Sequence, residues 1–243
     1  MIKPMFESTY CFADIPVRIR HHYSYLAEQC RDYLCDAAPT MEINITEKEL
    51  ERERERAEIP NSPDPYLESL ACYRTFCERV VDQRVLLFHS SAIAVDGRAY
   101  LFAAPSGTGK STHTALWRRV LGDRAVMVND DKPLLRLTDD NVLVYGTPWD
   151  GKHRLSNRIS VPVGGICFLS RGQENRIHRV SPNEGLAHLL EQTFRPESTQ
   201  GMEKMLGLLI ELCMRVPLWS LACNISEEAA KLSYHTMRGE FES

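Results

Sequence analysis

The chain has 243 residues, 43% of them hydrophobic, and its 29 basic and 33 acidic side chains leave a net charge of −4. That length suits one large domain, or a domain with an appendage, and holds enough apolar residues for a core. The acidic balance excludes a global attraction to nucleic acid or an anionic membrane surface, and no apolar run approaches the roughly 18–20 residues of a membrane span. The opening stretch "MIKPMFESTY" lacks the apolar centre of a secretory signal, so the expectation is a cytoplasmic protein. Eight cysteines without any CxxC pair read as buried, reduced thiols, not as a zinc site or a disulfide framework.

In chain order, 10–20 reads as a strand, 22–37 as a helix and 41–46 as an alternating strand. Residues 47–58 interleave Glu and Arg at helical spacing, predicting Glu49/Arg52, Glu51/Arg54 and Glu53/Arg56 pairs on a solvated face. "NSPDP" at 61–65 breaks the chain before a helix over 66–82. This predicts a small α/β region over 1–62 and a larger domain over 63–243.

From Val85 two apolar segments meet at Asp96-Gly97, a strong hairpin signal. A helix follows over 111–122, with Leu116, Val120, Trp117 and Leu121 inward and Gly122 as its stop. A short buried strand covers 125–128, another 161–170, and Ser181 with Glu184 forms a capping box for a helix to Phe194. A long helix near 199–215, a strand "LWSLACN" and a helix capped by Ser226 complete the chain.

Residues 104–111, "APSGTGKS", fit the phosphate-loop pattern with Ala104 in place of its first glycine. With a strand before and a helix after, backbone N–H groups of Ser106, Gly107, Thr108, Gly109, Lys110 and Ser111 converge on one anion, with Thr112 continuing the helix. Lys110 reaches β and γ phosphates, and Ser111 is a Mg²⁺ ligand. "VMVNDD" supplies further oxygen ligands through Asp130 and Asp131. One would hold metal and the other would accept a hydroxyl proton, and the sequence leaves open which does which. The two-residue turn pairs Val95 with Arg98, which carries His89 across from Ala104, at the mouth of the loop.

His89 fifteen residues before the loop, "SGTGKST" and a strand ending in "NDD" together resemble the catalytic domain of HPr kinase/phosphorylase. That domain shares its nucleotide-binding core with ATP-dependent phosphoenolpyruvate carboxykinase. The resemblance spans roughly 85–195. It implies an α/β fold, a mixed β-sheet with flanking helices around a P-loop core, and phosphoryl transfer from ATP with Mg²⁺. By the same resemblance His89, Lys110, Ser111, Asp130 and Asp131 are the site. The glycine-rich signature by which HPr kinases hold their protein substrate has no recognisable copy here, and neither has a carboxykinase carboxylate site. A different acceptor is therefore expected.

"YGTPWDGKHRLSNR" (145–158) is the expected acceptor side, carrying Lys152, His153, Arg154 and Arg158 in a loop rich in Gly and Pro. Gln192 and Arg195 are further candidates, although Arg195 also suits a helix end. The expectation is a kinase for a hydroxyl, seryl in a peptide or small protein, with free serine or another small alcohol as the runner-up. The alternative from another class is a nucleotide-binding regulatory module without turnover. A nucleic-acid or mechanical NTPase fits poorly with the acidic balance and the hairpin leading into the loop. No nucleic-acid or membrane partner is expected, and assembly with further copies is left open.

Overall fold

The computed structural model describes residues 6–57 and 61–239, which divide into two compact units, one ending at Val80 and one beginning at Val81. In the first unit, strands β1 (Phe6–Phe12) and β2 (Ile15–His21) form an antiparallel hairpin, and β3 (Met41–Asn44) adds in parallel to β2. Three helices accompany them, α1 (Ser24–Gln29), α2 (Glu47–Arg56) and α3 (Asp64–Val80).

Here the chain departs from its sequence pattern in four places. The single strand expected over 10–20 is a hairpin whose turn residues Ala13 and Asp14 hold φ of +50° and +60°; Asp tolerates that conformation but alanine does not advertise it. The helix expected over 22–37 stops at Gln29, and Leu34 instead bridges to Tyr10. Of the three predicted Glu/Arg pairs only Glu53–Arg56 forms, at 3.7 Å; Glu53 is buried and also takes Arg74 at 2.9 Å, while Arg54 joins Glu47 and Asp64. The predicted boundary at 62/63 moves to Val80/Val81, because α3 packs against α1, α2 and β3. Its Glu68, fully buried, accepts the backbone N–H groups of His22 and Tyr23, just ahead of α1.

The second unit begins with β4 (Val85–Leu87), the hairpin β5 (Ser90–Val95) and β6 (Arg98–Ala103), then α4 (Lys110–Leu121) and β7 (Ala125–Asn129). Next come β8 (Leu134–Leu137), β9 (Val142–Tyr145), the long β10 (Ser160–Arg171) and β11 (Arg176–Arg179). Helices α5 (Pro182–Gln192) and α6 (Thr199–Arg215), strand β12 (Leu218–Cys223) and helix α7 (Glu227–Met237) follow. The strands make one nine-stranded mixed sheet: β6, β10 and β12 run parallel, while β5 pairs antiparallel with both β6 and β7. Sequence pattern misses β8, β9 and β11, four-residue strands whose burial follows no clean alternation, unlike that of β3.

Alternation along β6 explains the layering. Ala99, Leu101 and Ala103 face a core completed by Leu189 of α5 and Met205, Leu208, Leu209 and Leu212 of α6. Tyr100 and Phe102 face the opposite core, with Leu116 and Trp117 of α4 and Ala230, Tyr234 and Met237 of α7. The mixed α/β architecture with flanking helices is therefore as expected, with helices on both faces of the sheet.

His113 lies inside that second core, its Nε2 3.0 Å from Ser233 Oγ and its ring edge-on to Phe102. Burial pushes its pKa down to about 4. Between about pH 6.5 and 4 the unfolded chain therefore binds more protons than the folded one, so stability falls as pH drops through that window. The full loss is roughly 3 kcal/mol. Denaturant unfolding across that window should show the slope, and His113→Gln should remove most of it.

Candidate active site

The site is assembled where β6 ends and α4 begins. Pro105 to Thr108 form a turn closed by Thr108 N–H donating to Pro105 O at 3.2 Å, with Gly107 at φ +77°. Gly109 caps α4 at φ +125°. A Cβ at either glycine would meet nothing within 4 Å, so these glycines serve backbone conformation and leave the cradle open. Lys110 is buried, and its Nζ donates to Ala104 O at 2.8 Å, drawing the ammonium across the inside of the loop. Burial lowers its pKa, and Asp131 and Asp130 oppose that shift, so both carboxylates lie within electrostatic reach of the ammonium. Ser111 is half-buried, while Ser106, Gly107 and Thr112 are exposed.

The hairpin register is as the Asp96-Gly97 turn predicts, Val95 opposite Arg98 and Ser90 opposite Ala103. The ladder ends at that last pair. His89 N–H donates instead to Gln192 O at 2.7 Å, and Ser90 N–H to Asp131 O at 3.2 Å. The strand thus leaves β6 just where β6 becomes the loop, and His89 turns toward the aspartates: Nε2 lies 3.2 Å from Asp131 Oδ1, with the ring 33% exposed.

Asp130 and Asp131 occupy different surroundings. Asp130 is 5% exposed, and its Oδ1 accepts from Ser91 Oγ at 2.6 Å. Ser91 Oγ is 2.9 Å from Thr114 Oγ1, which in turn contacts Lys110 O and Ser111 O in the first turn of α4. The side chain of Asp131 is 25% exposed and lies between His89 and Lys132 Nζ, the latter at 3.2 Å. Burial raises its pKa, but the hydrogen bond from His89 and the charge of Lys132 outweigh that and hold it below the usual carboxylate value. Asn129 sets this corner: its fully buried amide oxygen accepts from Asp131 N–H at 2.8 Å and Lys132 N–H at 2.6 Å.

The amide nitrogen of Asn129 donates to Thr147 O and Thr147 Oγ1, tying the 145–158 loop to the aspartate strand. Gly146 admits no side chain there, since a Cβ would fall 1.9 Å from Asn157 O. At the tip, Gly151 packs on Asp131, where its Cβ would stand 3.1 Å from Asp131 Cβ. The neighbouring Asp150 is a third carboxylate at the site: burial raises its pKa, Arg154 lowers it, and Asp131 and Asp130 raise it further. Lys152, His153, Arg154 and Arg158 are all exposed, with Arg154 at φ +48°.

Residues around Gln192 approach by backbone, through His89 and a Phe88–Thr193 bridge. Arg195 sits at the end of α5 with Nε 3.4 Å from Leu190 O, the helix-end role.

Sequence pattern passes over Ser91, Thr114, Asn129, Thr147 and Asp150. The signal nearest to usable is the pair of hydroxyls, Ser90 and Ser91, opening an otherwise apolar strand, and it does not say which of the two meets Asp130. All eight cysteines are free, and among the described residues no helix is long and apolar enough to cross a membrane. Nor do the described residues contain a group of three His, Cys, Asp or Glu placed to hold a metal by themselves.

No protein-family model and no curated protein matches the chain. Among solved structures it is similar to the Hpr(Ser) kinase/phosphatase from Coxiella burnetii, at 10% sequence identity over 65% of this chain and 99% of that chain, with a TM-score of 0.39. A likeness at that level carries no argument about function, which rests on the residues themselves.

Proposed function

We propose that the chain is an ATP-dependent phosphotransferase that binds Mg·ATP at the 104–111 loop and moves the γ-phosphoryl group to a hydroxyl, seryl in a peptide or small protein. The observation that carries this reading is that Asp131, paired with His89, and Asp130 lie within electrostatic reach of Lys110, whose buried ammonium donates to Ala104 O of the loop. The residues suit the ligand: an open glycine cradle, a buried ammonium for phosphate oxygens, and the Ser111 hydroxyl and Asp130 carboxylate as hard oxygen donors for Mg²⁺. When bound, Mg·ATP supplies the phosphoryl group and the metal's charge.

The surroundings of the two aspartates favour a division of labour. Asp130, shielded and linked through Ser91 and Thr114 to the turn that carries Ser111, is the metal-side carboxylate. Asp131, partly exposed and ionised at neutral pH, accepts the acceptor's hydroxyl proton at its carboxylate. His89 Nε2–H donates to Asp131 Oδ1 and orients it. Gly151 brings the basic tip against the same carboxylate, so Lys152 and Arg154 are the acceptor-side cations.

His89→Ala tests the reading. It should keep Mg·ATP affinity within about tenfold, a loss of about 1.4 kcal/mol at most, and lose far more in kcat. Undiminished turnover would reduce the site to a nucleotide-binding pocket.

A further inference from the structure

Arg171 is the last residue of β10, three positions beyond the final β10–β6 pair, Phe168 with Ala103. Strand β10 thus continues alongside the point at which β6 turns into the glycine loop. Pairing with β12 through Arg171–Cys223 keeps this extension in the sheet. Cys167 and Leu169 belong to the core shared with α4 and α7, and alternation puts Arg171 on that same face. Its guanidinium donates to Gly107 O at 2.7 Å. Arg84 spends its charge on Glu211, and Arg124 and Arg238 on Asp96. Arg171 makes no ion pair with a described carboxylate, and its contact is the loop.

We propose that Arg171 is a positioning residue of the phosphate loop, holding the Gly107–Thr108 peptide in the orientation that admits a polyphosphate. In a trans peptide the carbonyl and the following N–H point in opposite directions. Here both ends of one peptide plane are held: Gly107 O by Arg171 from outside, and Thr108 N–H by Pro105 O within the turn. A positive φ at the third turn position marks a type II turn, and glycine there lets the Gly107–Thr108 peptide turn over once Gly107 O is released and the Thr108–Pro105 bond opens. The flip would rotate Gly107 O toward the cradle, setting a carbonyl where an anion needs N–H donors. Arg171 opposes it, and its unpaired charge adds to the field of Lys110.

The inference rests on the proposed nucleotide site, so the test separates the two. Hydrogen exchange of the ligand-free protein is compared between wild type, Arg171→Gln and Arg171→Lys over residues 104–112. Pyrophosphate and ADP affinities are measured by calorimetry on the same proteins. Exchange about tenfold faster and both affinities about tenfold weaker in Arg171→Gln, with partial recovery in Arg171→Lys and adenosine affinity unchanged, is the expected result. Unchanged loop exchange overturns the positioning role, and faster exchange with affinities within twofold overturns its link to binding. A wild type that binds neither pyrophosphate nor ADP overturns the nucleotide reading instead, while the exchange comparison still decides the role of Arg171.

Discussion

Replacing Lys110 with alanine is expected to abolish phosphoryl transfer and to weaken ATP by about ten- to a hundredfold, the range of a charge-assisted hydrogen bond, while leaving adenosine unaffected. The selectivity follows from where the ammonium sits. Its Nζ lies on Ala104 O within the loop, so on the proposed reading its contact is with the phosphates of a bound nucleotide and not with the nucleoside. Its buried stem makes misfolding the competing explanation, and that would lower ATP and adenosine affinities together. Parallel calorimetric titrations of both ligands distinguish the outcomes.

The second large effect is expected at the aspartates. Asp131→Asn should bind Mg·ATP normally and lose about 10²–10⁴ in turnover, since the carboxylate reachable by an acceptor hydroxyl is removed. Asp130→Asn should instead lose the Mg²⁺ dependence of nucleotide affinity. Its buried Oδ1 accepts from Ser91, and that hydroxyl belongs to a hydrogen-bonded link reaching the first turn of α4. Titrating each variant with ADP at several Mg²⁺ concentrations, alongside turnover, separates the roles. Identical behaviour in both assays contradicts the assignment.

The parts of this site legible from sequence are those fixed by local backbone rules. A two-residue Asp-Gly turn dictates which residues of β5 and β6 oppose each other as far as Ser90 and Ala103, but counting on to His89 and Ala104 overruns the ladder, because His89 N–H bonds Gln192 O and its ring meets Asp131. Gly107 and Gly109 announce conformations that other residues avoid, and Gly122 announces the end of α4. Missing are the contacts that local rules do not reach. That Ser91 holds Asp130, that Asn129 grips Thr147, and that Gly151 rests on Asp131 all depend on strand order in the finished sheet. The Ala13-Asp14 turn shows the same limit from the other side. There tertiary packing of the buried β1 and β2 side chains overrides the weak turn preference of Ala13. The first unit extends past the boundary expected at 62/63 for a related reason, since a Pro-rich break marks a local stop and not which core the next helix joins.

The most direct test of the account is the transfer of label from γ-phosphate-labelled ATP to a library of seryl peptides and to free small alcohols, comparing the wild-type chain with Asp131→Asn. The account predicts a labelled hydroxyl acceptor and an equal amount of ADP from the wild type, and neither from the variant. ADP formed without any labelled acceptor, or ATP bound tightly and never consumed, would contradict it.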